Sequence, residues 1–197
     1  MISFKKICLC VLMLVCSACT LLAVEDLDED VQPDSVVEVE FVESAPKDRF
    51  VITNVGSCVL EELTLELDLS QSAGMLIFDT SAEGPGVEVF QPFEVQEGDI
   101  VQLAGDSVDD GDAALALRID YLGPGEKVSF TIDVDDTLPK GELGQIRVSD
   151  SEISGGIISI TVMESETTIA KFDNESIARA HLPACLSLIS SQQIAMQ

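Results

Sequence analysis

The chain has 197 residues, 46% of them hydrophobic, which is enough apolar sequence to bury the core of one ordinary domain. Asp and Glu number 36 against 10 Lys and Arg, so the formal net charge is -26. This charge excludes nucleic-acid binding, which needs a basic surface. Anionic membrane surfaces would repel the protein for the same reason.

Residues 1–23 have the pattern of a signal peptide. Lys5 and Lys6 precede an apolar run at residues 7–15. This run is shorter than the about 20 apolar residues that a membrane-spanning helix needs. The sequence therefore predicts an exported protein, secreted or held in the outer envelope or periplasm.

The cleavage site of this segment has alternatives. Cleavage after Ala18 or Ala23 would release a soluble protein. Residues 16–19, Cys-Ser-Ala-Cys, also resemble a bacterial lipobox, although Cys16 stands where leucine is usual. In that case Cys19 would carry lipid and attach the protein to a membrane. An uncleaved signal anchor is the third alternative.

The rest of the chain predicts one β-sandwich domain. Residues 24–35 are acidic and contain Pro33, as is typical of a solvated linker. From residue 36, apolar and polar residues alternate with a period of two, which predicts strands with one buried and one solvent-facing side. The apolar members of five such strands are Val37, Val39 and Phe41; Leu63, Leu65, Leu67 and Leu69; Leu115, Leu117, Ile119 and Tyr121; Val128, Phe130, Ile132 and Val134; and Ile158, Ile160 and Val162.

Turn-forming Gly, Pro and Asn separate these strands. The sequence therefore predicts an all-β protein, an antiparallel β-sandwich of Ig-like or jelly-roll-like type over residues 36–186. Residues 169–172 and 177–182 are predicted to form a final β-hairpin, with a short helix after Asp173 as the alternative. Residues 187–197 are predicted to be a disordered tail.

Two cysteines follow the linker, Cys58 and Cys185. In an exported chain they are expected to form a disulfide, with two buried free thiols as the alternative. A bridge that closes so long a loop is worth about 4–5 kcal/mol in the chain-entropy model.

Two clusters of aspartates are candidate calcium sites, because Ca²⁺ prefers several hard oxygen ligands in flexible geometry. The first cluster contains Asp99, Asp106, Asp109, Asp110 and Asp112, and the second contains Asp133, Asp135 and Asp136. Their spacing matches neither an EF-hand nor the glycine-rich nonapeptide repeats. The alternative is a solvated acidic rim that prevents edge-to-edge strand pairing.

Enzymatic activity is not expected. Paired carboxylates such as Asp120 with Asp133, or Glu88 with Glu94, are the type of residue that hydrolyses glycosidic bonds. The chain nevertheless has no Trp and a single Tyr to form a sugar-binding cleft, and it has no Gly-x-Ser-x-Gly nucleophile motif.

Several stretches resemble a known family of surface proteins. Residues 50–56 and 122–132 are similar to bacterial Ig-like surface modules. Residues 74–80, 86–93 and 130–138, with residues 144–148, resemble bacterial aggregation factor core proteins, which are similar to the core of the sponge cell-aggregation factor. This resemblance covers roughly residues 42–185, and it implies a calcium-dependent adhesion module.

The sequence thus predicts an exported, non-enzymatic adhesion or aggregation module with Ca²⁺ as its candidate cofactor. Its expected partner is a cell-surface protein or glycan, and a membrane only if Cys19 is lipidated. The alternative is a periplasmic assembly protein that captures a strand along a sheet edge.

Overall fold

The computed structural model describes residues 35–44, 47–87, 89–103, 108–143 and 147–183. The predicted signal peptide, nearly all of the linker and the predicted tail lie outside the described residues, as do Asp106, Glu88 and Cys185. No helix in the described ranges is long and apolar enough to cross a membrane.

The described residues form eleven strands and one turn of helix. In chain order the strands are β1 (Ser35–Val42), β2 (Asp48–Asn54), β3 (Leu60–Asp68), β4 (Ile77–Asp79), β5 (Glu94–Glu97), β6 (Val101–Gln102), β7 (Ala114–Leu122), β8 (Lys127–Asp135), β9 (Ile157–Val162), β10 (Thr168–Lys171) and β11 (Ile177–Leu182). The helix, α1, spans Asp150–Ile153.

The strands belong to two antiparallel sheets. Sheet A has the order β11–β1–β2–β8–β4, and β5 also pairs with β8. Sheet B has the order β10–β9–β3–β7–β6. The chain passes repeatedly between the two sheets, so both contribute to one hydrophobic core. The predicted all-β sandwich is confirmed.

The period-two pattern of the sequence places the core. The inward residues of β3, such as Leu63 and Leu65, are fully buried, and they face the inward residues of sheet A. In sheet A, the rings of Phe50 and Phe130 stack with their centroids 5.1 Å apart. An offset pair of this kind adds about 0.5–1.5 kcal/mol to the free energy gained by burying the rings.

Strand β8 departs from the expected pattern, because both of its sides are buried. The sequence predicts a solvent-facing side that carries Ser129, Thr131 and Asp133. All three are less than 7% exposed, because β5 and the loop before it lie along this strand and over it. The prediction of a solvent-exposed side was wrong for β8. The burial of its outer side creates the site described below.

Tyr121 also departs from its predicted position on the core side. Its side chain is 55% exposed, and Leu122 occupies the inward position instead. In β7, Asp120 and Tyr121 are both exposed, and the opposite residues of β3, Glu61 and Glu62, are exposed as well. Glu62 has a φ of 49°, an irregularity that brings two consecutive side chains to the outer surface.

The predicted terminal β-hairpin was wrong, although both of its strands exist. Strand β10 pairs with β9 in sheet B, whereas β11 pairs with β1 in sheet A. The connection between them crosses from one sheet to the other, and it is held by hydrogen bonds from Phe172 N to Gly156 O and from Asp173 N to Ile177 O.

A buried amide joins the two sheets at one end of the sandwich, beside a disulfide-bonded cysteine. The Asn54 side chain, fully buried, donates to the carbonyl oxygens of Cys58 at 2.7 Å and Leu122 at 2.9 Å. It thus connects the end of β2 in sheet A to the end of β7 in sheet B. Cys58 is disulfide-bonded. Because Cys185 lies outside the described residues, its identity as the partner stays a prediction.

Candidate metal centre

Three aspartates meet on the outer side of sheet A, at the pairing of β4 with β8. Asp133 and Asp135 are two residues apart on β8, so their side chains lie on the same side of the strand. Asp79 is the last residue of β4 and is the direct partner of Asp133 in the ladder. We call these three residues the aspartate triad.

The triad is buried and compact. Its members are 0%, 1% and 2% exposed, in the order Asp79, Asp133 and Asp135. One carboxylate oxygen of each lies within 4.8 Å of the others. Five of the six carboxylate oxygens have no hydrogen-bond partner; the sixth, Oδ2 of Asp135, accepts a 2.8 Å bond from Val87 N. Buried polar groups are normally hydrogen-bonded, so this cluster requires an explanation.

The loop between β4 and β5 closes the outer side of the triad. Val87 donates to Asp135, and Gly86 lies directly against Asp79. A Cβ atom at Gly86 would be 2.2 Å from the Asp79 carboxyl carbon, so a larger residue there would displace the carboxylate. The absence of a side chain at this position lets the backbone pack on the triad.

The burial of these carboxylates changes their acidity. Burial, followed by the charges of Asp135 and Asp48, raises the pKa of Asp133 to about 8. Burial, followed by the neighbouring carboxylates of Asp110 and Asp135, raises the pKa of Asp79 to about 7. Burial also raises the pKa of Asp135. Without a counter-charge, the folded protein therefore resists ionising the triad.

Asp48, at the start of β2, is a fourth buried carboxylate near this group. Its Oδ1 accepts from Ser44 N and its Oδ2 accepts from Val134 N, both at 3.0 Å. Burial raises its pKa to about 7 in spite of these two bonds. Asp48 therefore has a structural role in binding backbone amides, and it adds negative charge beside the triad.

The structure separates the second predicted cluster. Asp133 and Asp135 belong to the triad, but Asp136 follows the end of β8 and turns away from it. Asp136 Oδ1 accepts from Leu138 N at 2.9 Å, and the carboxylate packs against Gly141. Burial, followed at lower weight by the charge of Glu152, raises the pKa of Asp136.

Among the described members of the first predicted cluster, Asp110 alone approaches the triad. Its Oδ1 accepts from Thr80 N, the residue after Asp79, at 2.7 Å. Asp109 and Asp112 are exposed, and they shape the turn through a 2.8 Å bond from Asp109 N to Asp112 Oδ2. Asp99 is exposed as well, and Asp106 lies outside the described residues.

Sequence reasoning missed Asp79 and Asp48. Asp79 follows two apolar residues in a strand of only three, so period-two analysis gives it no signal. Its role depends on pairing with Asp133, 54 positions later in the chain. The available signal was the pair of aspartates, Asp133 and Asp135, on one side of β8.

Of the two carboxylate pairs considered for hydrolysis, the described one does not form. Asp120 is exposed on β7 of sheet B, whereas Asp133 is buried on β8 of sheet A. Glu94 is exposed and forms an ion pair with Lys47 at 2.9 Å, and its suggested partner Glu88 lies outside the described residues.

Among known proteins, the chain is similar to a solved structure but to no family model or curated protein. No family model matches the chain. No curated protein matches it either. Among solved structures, the chain is similar to a biomass-sensoring module of the Rsgi2 protein of Clostridium thermocellum, described as resembling a family 3 carbohydrate-binding module of the cellulosome. The match covers 76% of this chain and 98% of that one, with 12% identity and a TM-score of 0.29. The order of the strands in the two sheets defines the fold.

Proposed function

We propose that this protein is a non-enzymatic binding module whose β-sandwich is completed by a bound divalent cation, with calcium as the best fit. The observation that carries the proposal is the aspartate triad, with three buried carboxylates and five unpaired oxygens. A cation would give these oxygens their missing partners and compensate their charge. Protonation neutralises the carboxylates, but each bound proton provides a hydrogen bond for one oxygen at most, so it compensates the five unpaired oxygens only in part.

The spacing of the triad suits one ion. Calcium binds oxygen ligands at about 2.3–2.6 Å, so two ligands on opposite sides of it are at most about 5 Å apart. The triad oxygens lie within 4.8 Å of one another. They can therefore all contact the same ion with small adjustments of side-chain angles.

The chemistry of the ligands selects the kind of metal. The triad offers only carboxylate oxygens, which suit calcium, magnesium and manganese, whereas zinc and copper prefer His and Cys. Magnesium requires near-ideal octahedral geometry and keeps several waters. A buried site that is covered by the backbone of residues 86–87 favours calcium, which sheds its water more readily and accepts irregular geometry.

Thermal unfolding tests the proposal. Extracellular calcium modules have Kd values of about 10⁻⁴–10⁻³ M. At a calcium concentration about 100-fold above Kd, binding stabilises the folded state by about 2.7 kcal/mol. For a domain of this size that raises Tm by about 5–10 °C. We expect this rise with calcium, little with magnesium, and none in Asp133→Asn. Equal shifts with both ions, or none, would contradict the proposal.

The biological role that best fits this chemistry is adhesion or aggregation outside the cell. The acidic composition and the signal-peptide-like segment support it. The bound ion would fix the loop over the triad and so present a defined surface to a cell-surface protein or glycan. Beads coated with the protein should cluster with calcium and disperse with chelator. Beads coated with Asp133→Asn should not cluster, and clustering that ignores calcium would count against this role.

One observation favours a second candidate, the capture of a partner strand at a sheet edge. Strand β6 pairs with β7 only at Leu117 and Arg118. Within the described ranges, no strand lies beside residues 119–122 on that edge. An extended peptide could add to sheet B there. Co-purification of a bound peptide, lost when Asp120 is replaced by Pro, would support this function.

A further inference from the structure

Asp110 stands at the turn that leads into β7, next to the triad but on a separate segment of the chain. Its Oδ1 accepts from two backbone amides, Thr80 N at 2.7 Å and Ser81 N at 2.8 Å. Its Oδ2 is shielded from solvent and has no hydrogen-bond partner. One oxygen of Asp110 thus fixes the start of the loop after β4, and the other is left without a partner.

Asp110 is held beside Asp79. Its Oδ1 accepts from Thr80 N, the amide that directly follows Asp79 in the chain. After burial, the Asp110 carboxylate is also the next contributor to the raised pKa of Asp79. The turn itself is anchored to β4 from both sides, by Gly111 N to Phe78 O and Phe78 N to Asp112 O, each at 2.8 Å. Asp110 cannot move away from Asp79 without breaking these bonds.

Two glycines in the loop leave room for these carboxylates. A Cβ atom on Gly84 would lie 1.1 Å from Asp110 Oδ2, so this oxygen occupies the space that a side chain would take. Gly86 stands in the same relation to Asp79. The loop backbone therefore packs against both carboxylates, Asp110 at Gly84 and Asp79 at Gly86.

We propose that Asp110 is the fourth carboxylate ligand of the cation and that the ion thereby fixes the loop of residues 80–87. This inference rests on the proposed calcium site. The ion would join three segments that are distant in sequence: β4 with its loop, the turn at residues 109–112, and the end of β8. Because that turn continues into β7 of sheet B, the ion also connects the two sheets.

Between described residues the loop forms few other hydrogen bonds, so its order should depend on the ion. The residues from Ser81 to Val87 form no regular strand or helix. Their hydrogen bonds to the rest of the protein run to the carboxylates of Asp110 and Asp135. When those carboxylates repel one another, the loop loses its anchors. Calcium binding should therefore slow amide hydrogen exchange in residues 80–87 more than elsewhere.

Asp110→Asn tests the inference, because asparagine can keep the Oδ1 that accepts from Thr80 and Ser81 while an uncharged NH2 group replaces Oδ2, the proposed ligand oxygen. We expect at least about a tenfold loss of calcium affinity by titration calorimetry. We also expect loss of the calcium-induced protection of residues 80–87. Gly84→Ala should act alike, since its Cβ displaces the same oxygen without changing any charge. Asp99→Asn, an exposed change of equal charge, should match the wild type.

The outcomes separate the inference from the proposed function. If Asp110→Asn and Gly84→Ala bind calcium as tightly as the wild type while Asp133→Asn does not, Asp110 is not a ligand, and the proposed calcium site at the triad is retained. If the wild type binds no calcium, the proposed function itself fails. If affinity falls but residues 80–87 are equally protected with and without calcium, the coupling to the loop is overturned.

Discussion

Asp79 and Asp133 face each other directly across the β4–β8 ladder, two buried carboxylates in a position where sheets normally place apolar or oppositely charged pairs. Like charges that are directly opposite destabilise a sheet. The arrangement is costly for the metal-free protein and favourable for a protein that binds a cation between the two strands.

Replacing Asp133 by Asn should stabilise the metal-free protein and abolish its response to calcium. The change removes a carboxylate whose ionisation is disfavoured by burial and by the charge of Asp135. At pH 8 in chelator we expect a gain of about 1–2 kcal/mol, since each unit of pKa shift corresponds to about 1.4 kcal/mol and the new amide leaves part of its hydrogen bonding unmet.

Urea unfolding of the wild type and Asp133→Asn, with chelator and with calcium, measures both effects. Asp99→Asn, which is exposed, should change neither. A variant that is less stable than the wild type in chelator, or one that still responds to calcium, would contradict the account.

The metal-free protein should lose stability as the pH rises. The folded-state pKa values of Asp48 and Asp79 are raised to about 7, and that of Asp133 to about 8, above the ordinary value of 3.8. The folded state therefore holds protons that the unfolded chain has released. Their stabilising contribution is complete below about pH 3.8 and is lost as the pH rises to about 8.

Thermal unfolding in chelator from pH 4 to pH 8 measures this dependence. The Tm of the wild type should fall across the range, and the Tm of Asp133→Asn should fall less steeply. The two proteins have nearly the same net charge, so the difference between their slopes reports on Asp133 and not on overall charge repulsion. Calcium should restore the Tm chiefly at the high-pH end, where the triad is ionised. A Tm that rises toward pH 8 in chelator would be inconsistent with the raised pKa values.

Replacing Gly86 by Ala should weaken calcium binding through geometry alone. Its Cβ would lie 2.2 Å from the Asp79 carboxyl carbon, so the carboxylate must move out of the site. Gly125→Ala is an informative comparison, because Gly125 has a φ of 74° and its Cβ would meet nothing within 4 Å. That variant should lose about 1 kcal/mol of stability to backbone strain and keep its calcium affinity. Equal affinities in the two variants would refute the role of Gly86.

Removing the disulfide should cost substantial stability. Replacing Cys58 by Ser, or reducing the protein, should lower the free energy of unfolding by about 4–5 kcal/mol if the partner is Cys185, because the loop is long. Peptide mapping of the oxidised protein identifies the partner, and Cys185→Ser should match Cys58→Ser. A Cys185→Ser variant as stable as the wild type would exclude this pairing.

The sequence predicted the sandwich because its main strands obey local rules. The alternation at residues 37–41 and 63–69 marks the inner side of each strand, and these apolar residues are buried. The position of Tyr121 could not be read from alternation, since β3 and β7 share an irregularity at Glu62. The connection from β10 to β11 was misjudged because a short polar turn fits a hairpin and a crossing between sheets equally well.

The site was predictable only in part. Asp133 and Asp135 are the two acidic residues of β8 and lie on the same side of it, and Asp110 lies in an acidic turn. Their convergence with Asp79 depends on a three-residue strand and on loop burial, which are set by contacts between distant segments. Local sequence therefore indicated the ligand types and two of the triad residues, whereas tertiary structure determined which carboxylates meet.

A crystal structure of the protein grown with calcium at pH 8 would show whether the triad holds the ion. We expect one ion per chain, with carboxylate oxygens of Asp79, Asp133 and Asp135 at about 2.3–2.6 Å. Calcium bound elsewhere on the acidic surface, with the triad holding only water, would contradict it.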